Sequence, residues 1–198
     1  MHVLLASASP RRRQLLTNVG VKCDVLSLDV DERVPDQEDP SSWVLAVAEK
    51  KARAVPEEAA HPGPRFALTA DTAVWLPGRR PLGKPDDASD ARRMLRDLSG
   101  REHLVGTAFC WVDRATGTIA HGETVCSEVH MATWSSEDID AYLATDEPWD
   151  KAGAYAIQGR AGAFVHRIVG DYFSIVGLPL HRVMATARAL GITRLGVA

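Results

Sequence analysis

Residues 3–28, VLLASASPRRRQLLTNVGVKCDVLSL, contain the signals that decide the fold. An apolar run over 3–6 predicts a strand, residues 10–19 predict a helix that Gly20 ends, and residues 21–28 predict a second strand. A strand, a helix and a strand in so short a span usually form a parallel pair with a right-handed crossover. Ligands of such units bind beyond the carboxyl ends of the strands, and the SPRR turn lies at that end.

The first turn of the predicted helix is strongly basic. It begins with Ser9 as the expected N-cap and Pro10 at the first helical position, followed by Arg11, Arg12 and Arg13. Exposed cations there oppose the helix dipole by about 0.3–1 kcal/mol each, so their placement suggests a bound anion. Guanidinium groups match phosphate oxygens, and Ser7 adds a hydroxyl donor. From this segment alone, a solvated basic turn explains the arginines equally well.

Composition limits the class of protein. The chain has 198 residues, of which 45% are hydrophobic and 25% are charged, as is typical of a globular protein. We expect one domain over residues 1–198, built as two lobes that form one functional unit. The net charge of −3 gives no reason to expect binding to a nucleic-acid polymer or a membrane surface. Without a membrane span or a signal-peptide pattern, the expected location is the cytoplasm.

Helical and strand patterns alternate along the rest of the chain. They predict a helix capped by Ser41 or Ser42, a strand over 66–76, a helix over 85–98, an antiparallel ribbon over 102–134, a helix with a capping box at Ser135 and Asp138, strands over 163–169 and 173–176, and a last helix through Leu190. This order predicts an α/β fold with a mixed sheet and flanking helices, as two lobes around a central cleft. The three cysteines of the chain are expected to be buried free thiols.

Two acidic positions follow predicted strands. Asp71 lies in a polar pair within an otherwise apolar strand, and Glu32 follows Asp31 after the second strand. Carboxylates at such places can hold Mg²⁺ or take a proton from water. A lone Asp in a strand is more often a turn or cap residue, and an acidic pair in a loop is more often solvated.

Lysines supply further candidate phosphate contacts. Lys84 lies in GKP, which lacks the hydroxyl residue and the spacing of a P-loop. Lys51 and Lys151 are the other candidates, although each lysine alone is more typical of an exposed surface. The chain lacks the zinc-hydrolase and serine-hydrolase motifs. Together, the basic groups and carboxylates are the minimum set for Mg²⁺-assisted attack of water on a phosphoanhydride.

A set of longer motifs occurs in order along nearly the whole chain: LASASPRRRQLL, VDER, ADTAV, LGKP, LSGREH, DEPWDKAGAYAIQG and VGLPL. Together they resemble the Maf family of nucleoside triphosphate pyrophosphatases. The resemblance implies a Maf/HAM1-like mixed twisted sheet with flanking helices, a cleft between lobes and a homodimer. It also implies hydrolysis of a nucleoside triphosphate to the monophosphate and pyrophosphate, with a divalent cation, Mg²⁺ or Mn²⁺, as cofactor.

The same resemblance implies roles for particular residues. Asp71 would be the proton acceptor that activates water and would also contact the metal, and Glu32 would be the second metal-side carboxylate. The groups that bind the triphosphate and neutralise its charge would be Ser7, Arg11, Arg12, Lys51 and Lys84. The residues that distinguish branches of the family would be Arg11, Thr72 and Gln158. That set is similar to the dTTP/UTP branch and differs at all three positions from the branch that takes 7-methyl-GTP.

Two other functions remain open at this stage. One is a regulator of cell division and septum formation that binds a nucleotide or a protein without essential catalysis. The presence of Asp71, Glu32, Lys51 and Lys84 argues against it. The other is an enzyme for modified pyrimidine nucleotides, which would share the mechanism and differ only in substrate.

Overall fold

The computed structural model describes residues 1–32, 39–58 and 60–193. These residues form two compact units. The first consists of the described parts of Met1–Asp71, Thr107–Val125 and the segment from Gly177 onward; the second consists of Thr72–Gly106 and Cys126–Val176. Within the described ranges, none of the helices has the length and apolarity needed to cross a bilayer.

Among the described residues, six strands form one sheet in the order β2-β1-β3-β4-β5-β6. They are β1 (His2–Leu5), β2 (Lys22–Val25), β3 (Phe66–Trp75), β4 (Glu102–Asp113), β5 (Thr118–Met131) and β6 (Val165–Val169). Strand β1 runs parallel to β2 and β3, whereas β5 and β6 are antiparallel. The predicted mixed sheet is therefore confirmed.

Six α-helices occur in the part of the chain that the structure describes. They are α1 (Pro10–Asn18), α2 (Pro40–Arg53), α3 (Ala88–Leu98), α4 (Ser136–Leu143), α5 (Tyr172–Val176) and α6 (Leu180–Ala189). Two 3₁₀ turns, Ala152–Ala154 and Arg160–Phe164, lie between α4 and β6. The capping box at the start of α4 forms as predicted, because Ser135 and Asp138 each bond the other's backbone N–H.

The register of the parallel strands determines where Asp71 lies. Leu5, the last residue of β1, pairs with Leu68 of β3, and the Ala6 N–H donates to the Leu68 carbonyl at 2.9 Å. Asp71 comes three residues later in β3. At roughly 3.3 Å per residue, the strand carries Asp71 about 10 Å past the end of β1. The Asp71 carboxylate therefore lies beyond the carboxyl end of β1, where the SPRR turn begins, as the βαβ pattern predicts.

The first unit has a core around β1, whose residues from Val3 to Leu5 are at most 1% exposed. Helix α2 packs with a buried stripe formed by Val44, Val47 and Ala48. In α6, Thr186 accepts a hydrogen bond from the buried indole of Trp111 at 3.0 Å. This packing fixes both the β1–α1 turn and the last turn of α2, the two places that carry basic residues.

The second unit has a separate core. Met94, Leu95 and Leu98 of α3 pack with buried residues of β4, β5 and α4. Trp134 stacks on Phe164 with ring centroids 3.8 Å apart. This core supports the segment between α4 and β6, which carries Gln158.

Two helix starts differ from the prediction. Asp39, rather than Ser41 or Ser42, is the N-cap of α2, because its carboxylate accepts from the N–H groups of both serines at 3.2 and 3.1 Å. Helix α3 begins at Ala88 instead of residue 85, because Asp87 caps it by accepting from the Asp90 N–H at 2.8 Å. In both places, an ionised carboxylate next to the helix satisfies N–H groups that lack an intrahelical partner.

The predicted strand over 173–176 is wrong, since these residues belong to α5. A short apolar run has no period that separates a buried strand from a helix. Here Asp171 decides the outcome by accepting from the Phe173 N–H at 2.7 Å, which starts a helical turn. Another correction concerns the thiols: none of the three cysteines forms a disulfide, as expected, but Cys126 is exposed and only Cys110 is fully buried.

The buried imidazole of His103 makes the stability of the protein depend on pH. Its Nε2 lies 2.8 Å from the Tyr155 hydroxyl, and burial lowers its pKa from 6.5 to about 4. Between those pH values the unfolded chain binds a proton that the folded chain does not. The free energy of unfolding therefore falls as the pH falls through this range, by about 3 kcal/mol in total from this group.

Urea unfolding at about pH 7 and about pH 4.5 measures this contribution. Carboxylates also titrate in this pH interval, so the acid-induced loss of stability is compared between the wild type and variants. The variant His103→Asn is expected to lose less stability on acidification than the wild type, by about 2–3 kcal/mol. The exposed His181 provides the control, because His181→Asn should follow the wild type. An equal acid-induced loss in His103→Asn and the wild type would contradict the assignment.

Candidate active site

An ammonium group between two carboxylates forms the centre of the candidate site. Lys51 Nζ lies 2.7 Å from Asp71 Oδ1 and 2.8 Å from Glu32 Oε1. The Lys51 and Asp71 side chains are 15% and 12% exposed, whereas that of Glu32 is 57% exposed. The structure thus brings together three of the predicted residues from α2, β3 and the segment after β2. With all three ionised, the group carries one net negative charge.

The helical period explains why Lys51, and not its neighbour, reaches Asp71. Lys51 follows Val47 by one helical turn and so continues the buried stripe of α2. Lys50 lies off that stripe, is 39% exposed, and is 3.9 Å from the exposed carboxylate of Asp31. In the sequence, Lys51 differs from Lys50 by its position at the end of the apolar stripe of α2.

Arg12 turns inward and binds three oxygen atoms of the protein. Its Nε donates to the Gly177 carbonyl at 2.8 Å, and its Nη1 donates to the Ala70 carbonyl at 2.8 Å and to Ser7 Oγ at 3.0 Å. The residue is 9% exposed. Burial lowers the pKa of this guanidinium, while the negative charge of Asp71 raises it. Arg12 therefore fixes the residue next to Asp71 and the start of the VGLPL segment.

Ser7 lies at the centre of the turn between β1 and α1. Its Oγ accepts from Arg12 and, at 3.3 Å, from the Ser9 N–H. Because both contacts use oxygen lone pairs, the hydroxyl proton is available to donate to an anion. Ser9 occupies the N-cap position, as predicted, but its side chain makes no capping hydrogen bond. The half-buried Arg11 lies in the same turn.

The remaining predicted residues belong to the second unit. Thr72 follows Asp71 in β3 and is half-buried, whereas Lys84 and Gln158 are exposed. Lys84 lies in a segment anchored at two points: the Leu82 N–H donates to the Val74 carbonyl at 2.6 Å, and the Gly83 carbonyl accepts from the Gly153 N–H at 3.0 Å. The LGKP and DKAGAY motifs are therefore joined within this unit.

Lys151 is engaged by its own loop. Its Nζ donates to the Glu147 carbonyl at 2.8 Å and contacts the Asp150 carboxylate. These contacts shape the DEPWDK segment, and the role of Lys151 as a candidate phosphate contact stays a prediction. The carbonyls of Ala70 and Gly177, which accept from Arg12, were not predicted, because no side-chain pattern marks a backbone acceptor.

Asp71 and Glu32 have the chemistry of a divalent-cation site. Mg²⁺ commonly binds one or two carboxylates and completes its shell with phosphate oxygens and water. The net negative charge left after pairing with Lys51, together with the exposure of Glu32, suits that arrangement. Elsewhere, one group of three potential metal ligands occurs among the described residues: Glu102, Glu128 and His130. His130 there contacts the Glu128 carboxylate directly.

A family model described as Maf-like protein matches residues 2–190. The chain belongs to this family. The matched range contains every residue of the candidate site, from Ser7 to Gly177, so the site is part of the Maf-like region.

Several relatives of this Maf-like chain are named dTTP/UTP pyrophosphatase. The protein of Anaeromyxobacter dehalogenans strain 2CP-C is 49% identical over 190 residues, which cover 96% of this chain and 94% of the relative. The protein of Ralstonia nicotianae is 46% identical over 200 residues, which cover 97% and 95%. The protein of Symbiobacterium thermophilum is 45% identical over 189 residues, which cover 96% and 94%.

Solved structures give a more distant match. The Ham1 protein of Staphylococcus aureus aligns with 96% of this chain and 99% of its own, at 11% identity and a TM-score of 0.49. A HAM1 protein from Coxiella burnetii aligns with 96% and 99%, at 13% identity and a TM-score of 0.48. Neither match bears on the residues of the site.

Proposed function

We propose that this Maf-like chain is a nucleoside triphosphate pyrophosphatase that hydrolyses dTTP and UTP to the monophosphate and pyrophosphate. The observation that carries the proposal is the Asp71–Lys51–Glu32 group at the carboxyl side of the parallel strands. The names of relatives at 45–49% identity over nearly the whole chain support the substrate class. Residues Arg11, Thr72 and Gln158 match the dTTP/UTP branch.

In the proposed reaction, water attacks the phosphoanhydride between the α- and β-phosphates. Asp71 takes a proton from the attacking water, the phosphoanhydride bond breaks, and pyrophosphate leaves. Lys51 holds the Asp71 carboxylate in place through the 2.7 Å contact. Ser7, Arg11, Lys51 and Lys84 bind the triphosphate oxygens, and preorganised donors of this kind stabilise charge that develops during phosphoryl transfer. Arg12 also belongs to the proposed phosphate-binding set, although its Nε and Nη1 donate to backbone carbonyls of the protein.

We include a divalent cation, Mg²⁺ or Mn²⁺, held by Asp71 and Glu32. When bound, it would neutralise phosphate charge and polarise the phosphoryl group. The residues themselves favour it, because Lys51 neutralises only one of the two carboxylates before the triphosphate adds its own negative charge.

The proposal also covers the domain organisation, the oligomeric state and the cellular location of the chain. Residues 1–198 act as one functional unit, since both units of the structure carry residues of the proposed set. The chain works in the cytoplasm as a homodimer, and neither a membrane nor a nucleic-acid polymer is a partner. The net charge of −3 supports the last point. Light scattering of the purified protein tests the dimer.

Pyrophosphate release from a panel of nucleoside triphosphates tests the activity. The panel contains dTTP, UTP, CTP, 7-methyl-GTP and modified pyrimidine nucleotides, each with Mg²⁺, with Mn²⁺ and with a chelator. We expect dTTP and UTP to give monophosphates in the presence of metal and to give no measurable product with the chelator. The monophosphate and pyrophosphate are resolved by chromatography, so that cleavage at the γ-phosphate is recognised.

Other results would change the proposal in specific ways. A preference for 7-methyl-GTP would keep the chemistry and overturn the branch assignment. A preference for a modified pyrimidine would retain the site and change the substrate. The absence of turnover with every nucleotide would reject catalysis and favour a nucleotide-binding regulator.

A further inference from the structure

Residues 155–160, YAIQGR, form a loop that carries the exposed Gln158. Three side chains of the second unit bind this loop, two at its start and one at its end. His103 bonds the Tyr155 hydroxyl at 2.8 Å, and Tyr142 accepts from the Ala156 N–H at 3.2 Å. At the other end, both carboxylate oxygens of Glu147 accept from the Arg160 N–H, at 3.1 and 2.9 Å. Gln158 is thus held between fixed points.

Glu147 also explains the glycine that follows Gln158. A Cβ on Gly159 would lie 2.1 Å from Glu147 Oε2 and 2.5 Å from its Cδ. The backbone of Gly159 has φ −110°, which any residue can adopt. Space, rather than backbone conformation, therefore favours glycine at this position while the Glu147 carboxylate lies there. The carboxylate packs directly on the backbone of the residue next to Gln158.

Glu147 is itself fixed by its own segment. Its carbonyl accepts from Lys151 Nζ at 2.8 Å, and its N–H donates to Thr145 Oγ1 at 3.3 Å. The Tyr142 pKa is raised above its usual value, first by burial and further by the nearby Glu147 carboxylate. Tyr142 therefore lies beside Glu147 while it binds Ala156. The backbone of Glu147 is thus fixed, and its carboxylate lies beside Tyr142 and against the loop.

We propose that Glu147 is a positioning residue that sets the place of the Gln158 amide and thereby the selectivity for the base. The proposal rests on the proposed function, in which Gln158 reads a pyrimidine. The side-chain amide of Gln158 can donate to O4 of uracil or thymine and accept from N3–H. Cytosine has nearly the same shape and presents a donor and an acceptor in reversed order. If the loop is displaced, the Gln158 amide discriminates less between the hydrogen-bonding edges of uracil and cytosine.

The substrate pair UTP and CTP tests this directly, because the two differ only at that edge. In Glu147→Ala, which loses the acceptors, the ratio of kcat/KM for UTP to that for CTP is expected to fall about tenfold. We expect the change mainly as a higher KM for UTP, with kcat within about threefold of the wild type. Glu147→Gln, which keeps an acceptor oxygen and the length of the side chain, should recover most of the selectivity.

Asp146→Ala is the matched control. It removes one exposed negative charge from the adjacent position and should leave the UTP-to-CTP ratio unchanged. Gly159→Ala provides an independent variant, since its methyl group would displace the same carboxylate, and it should shift the ratio in the same direction as Glu147→Ala. Thermal unfolding of each variant identifies any that do not fold; if Glu147→Ala is among them, the ratio measured for Gly159→Ala decides between the outcomes.

An unchanged UTP-to-CTP ratio in folded Glu147→Ala or in folded Gly159→Ala would overturn the inference. So would an equal loss of kcat for both nucleotides, which indicates general damage, or an equal shift in Asp146→Ala. Failure of the proposed function gives a different result, because the wild type itself would then not hydrolyse UTP. If it hydrolyses another nucleotide, the same ratio between that nucleotide and its base analogue decides the role of Glu147. The absence of all hydrolysis rejects both proposals.

Discussion

Asp71→Asn is expected to lower the turnover of dTTP and UTP by at least about 100-fold, because an amide cannot accept the proton that Asp71 takes from water. The substitution preserves the shape of the side chain and leaves an oxygen that can still accept from Lys51. It also removes one of the two carboxylates assigned to the divalent cation. The loss should therefore appear in kcat, measured as pyrophosphate release at saturating nucleotide and metal.

Asp24→Asn provides the control for this substitution. Asp24 lies in β2 of the same unit and its side chain is 48% exposed, compared with 12% for Asp71. Its replacement should leave turnover within about threefold of the wild type. If Asp71→Asn retains comparable turnover while folded, the proton acceptor is a different group and the proposed mechanism is wrong.

Arg12→Met is expected to lower the free energy of unfolding by about 3 kcal/mol or more. The substitution removes three hydrogen bonds from a charged donor and leaves two carbonyls and a hydroxyl without it. Replacing a whole buried ion pair by apolar groups can be neutral, but here the negative Asp71 remains. Urea unfolding at neutral pH measures the change.

The neighbouring Arg13 gives a matched control, since it is exposed and carries the same charge in the same helical turn. Arg13→Met should change the unfolding free energy by less than about 0.5 kcal/mol. Arg12→Lys should remain strongly destabilised, because one ammonium cannot reproduce the spread of the guanidinium donors. An equal loss of unfolding free energy in Arg12→Met and Arg13→Met would contradict the conclusion that the buried hydrogen bonds of Arg12 stabilise the fold.

Local patterns along the chain were sufficient for much of the fold. The apolar period and Gly20 gave β1 and α1, and Ser135 with Asp138 gave the start of α4. The same reasoning failed where two local signals competed. Asp39 and the two serines after it are all good N-caps, and the carboxylate prevailed because it accepts from two N–H groups at once. The apolar run 173–176 had no decisive period.

The candidate site divides in the same way. The residue types and their motifs identified Asp71, Glu32 and Lys51, and the period of α2 explains why Lys51 turns inward. Glu147 could not be found in this manner. Its importance depends on contacts with Gly159 and Arg160, and nothing in the spacing of those residues indicates that a carboxylate will lie against a glycine backbone.

The sequence by itself determined the family, the α/β order of elements and the residue types available for phosphate chemistry, because these depend on short-range patterns and motifs. Tertiary structure alone decided which of three adjacent arginines is buried. The answer depends on Gly177, 165 positions from Arg12 in the chain, and on the Ala70 carbonyl. Hydrogen bonds and charge interactions act over a few ångströms of space, so their partners are defined only once the folded chain has brought distant residues together.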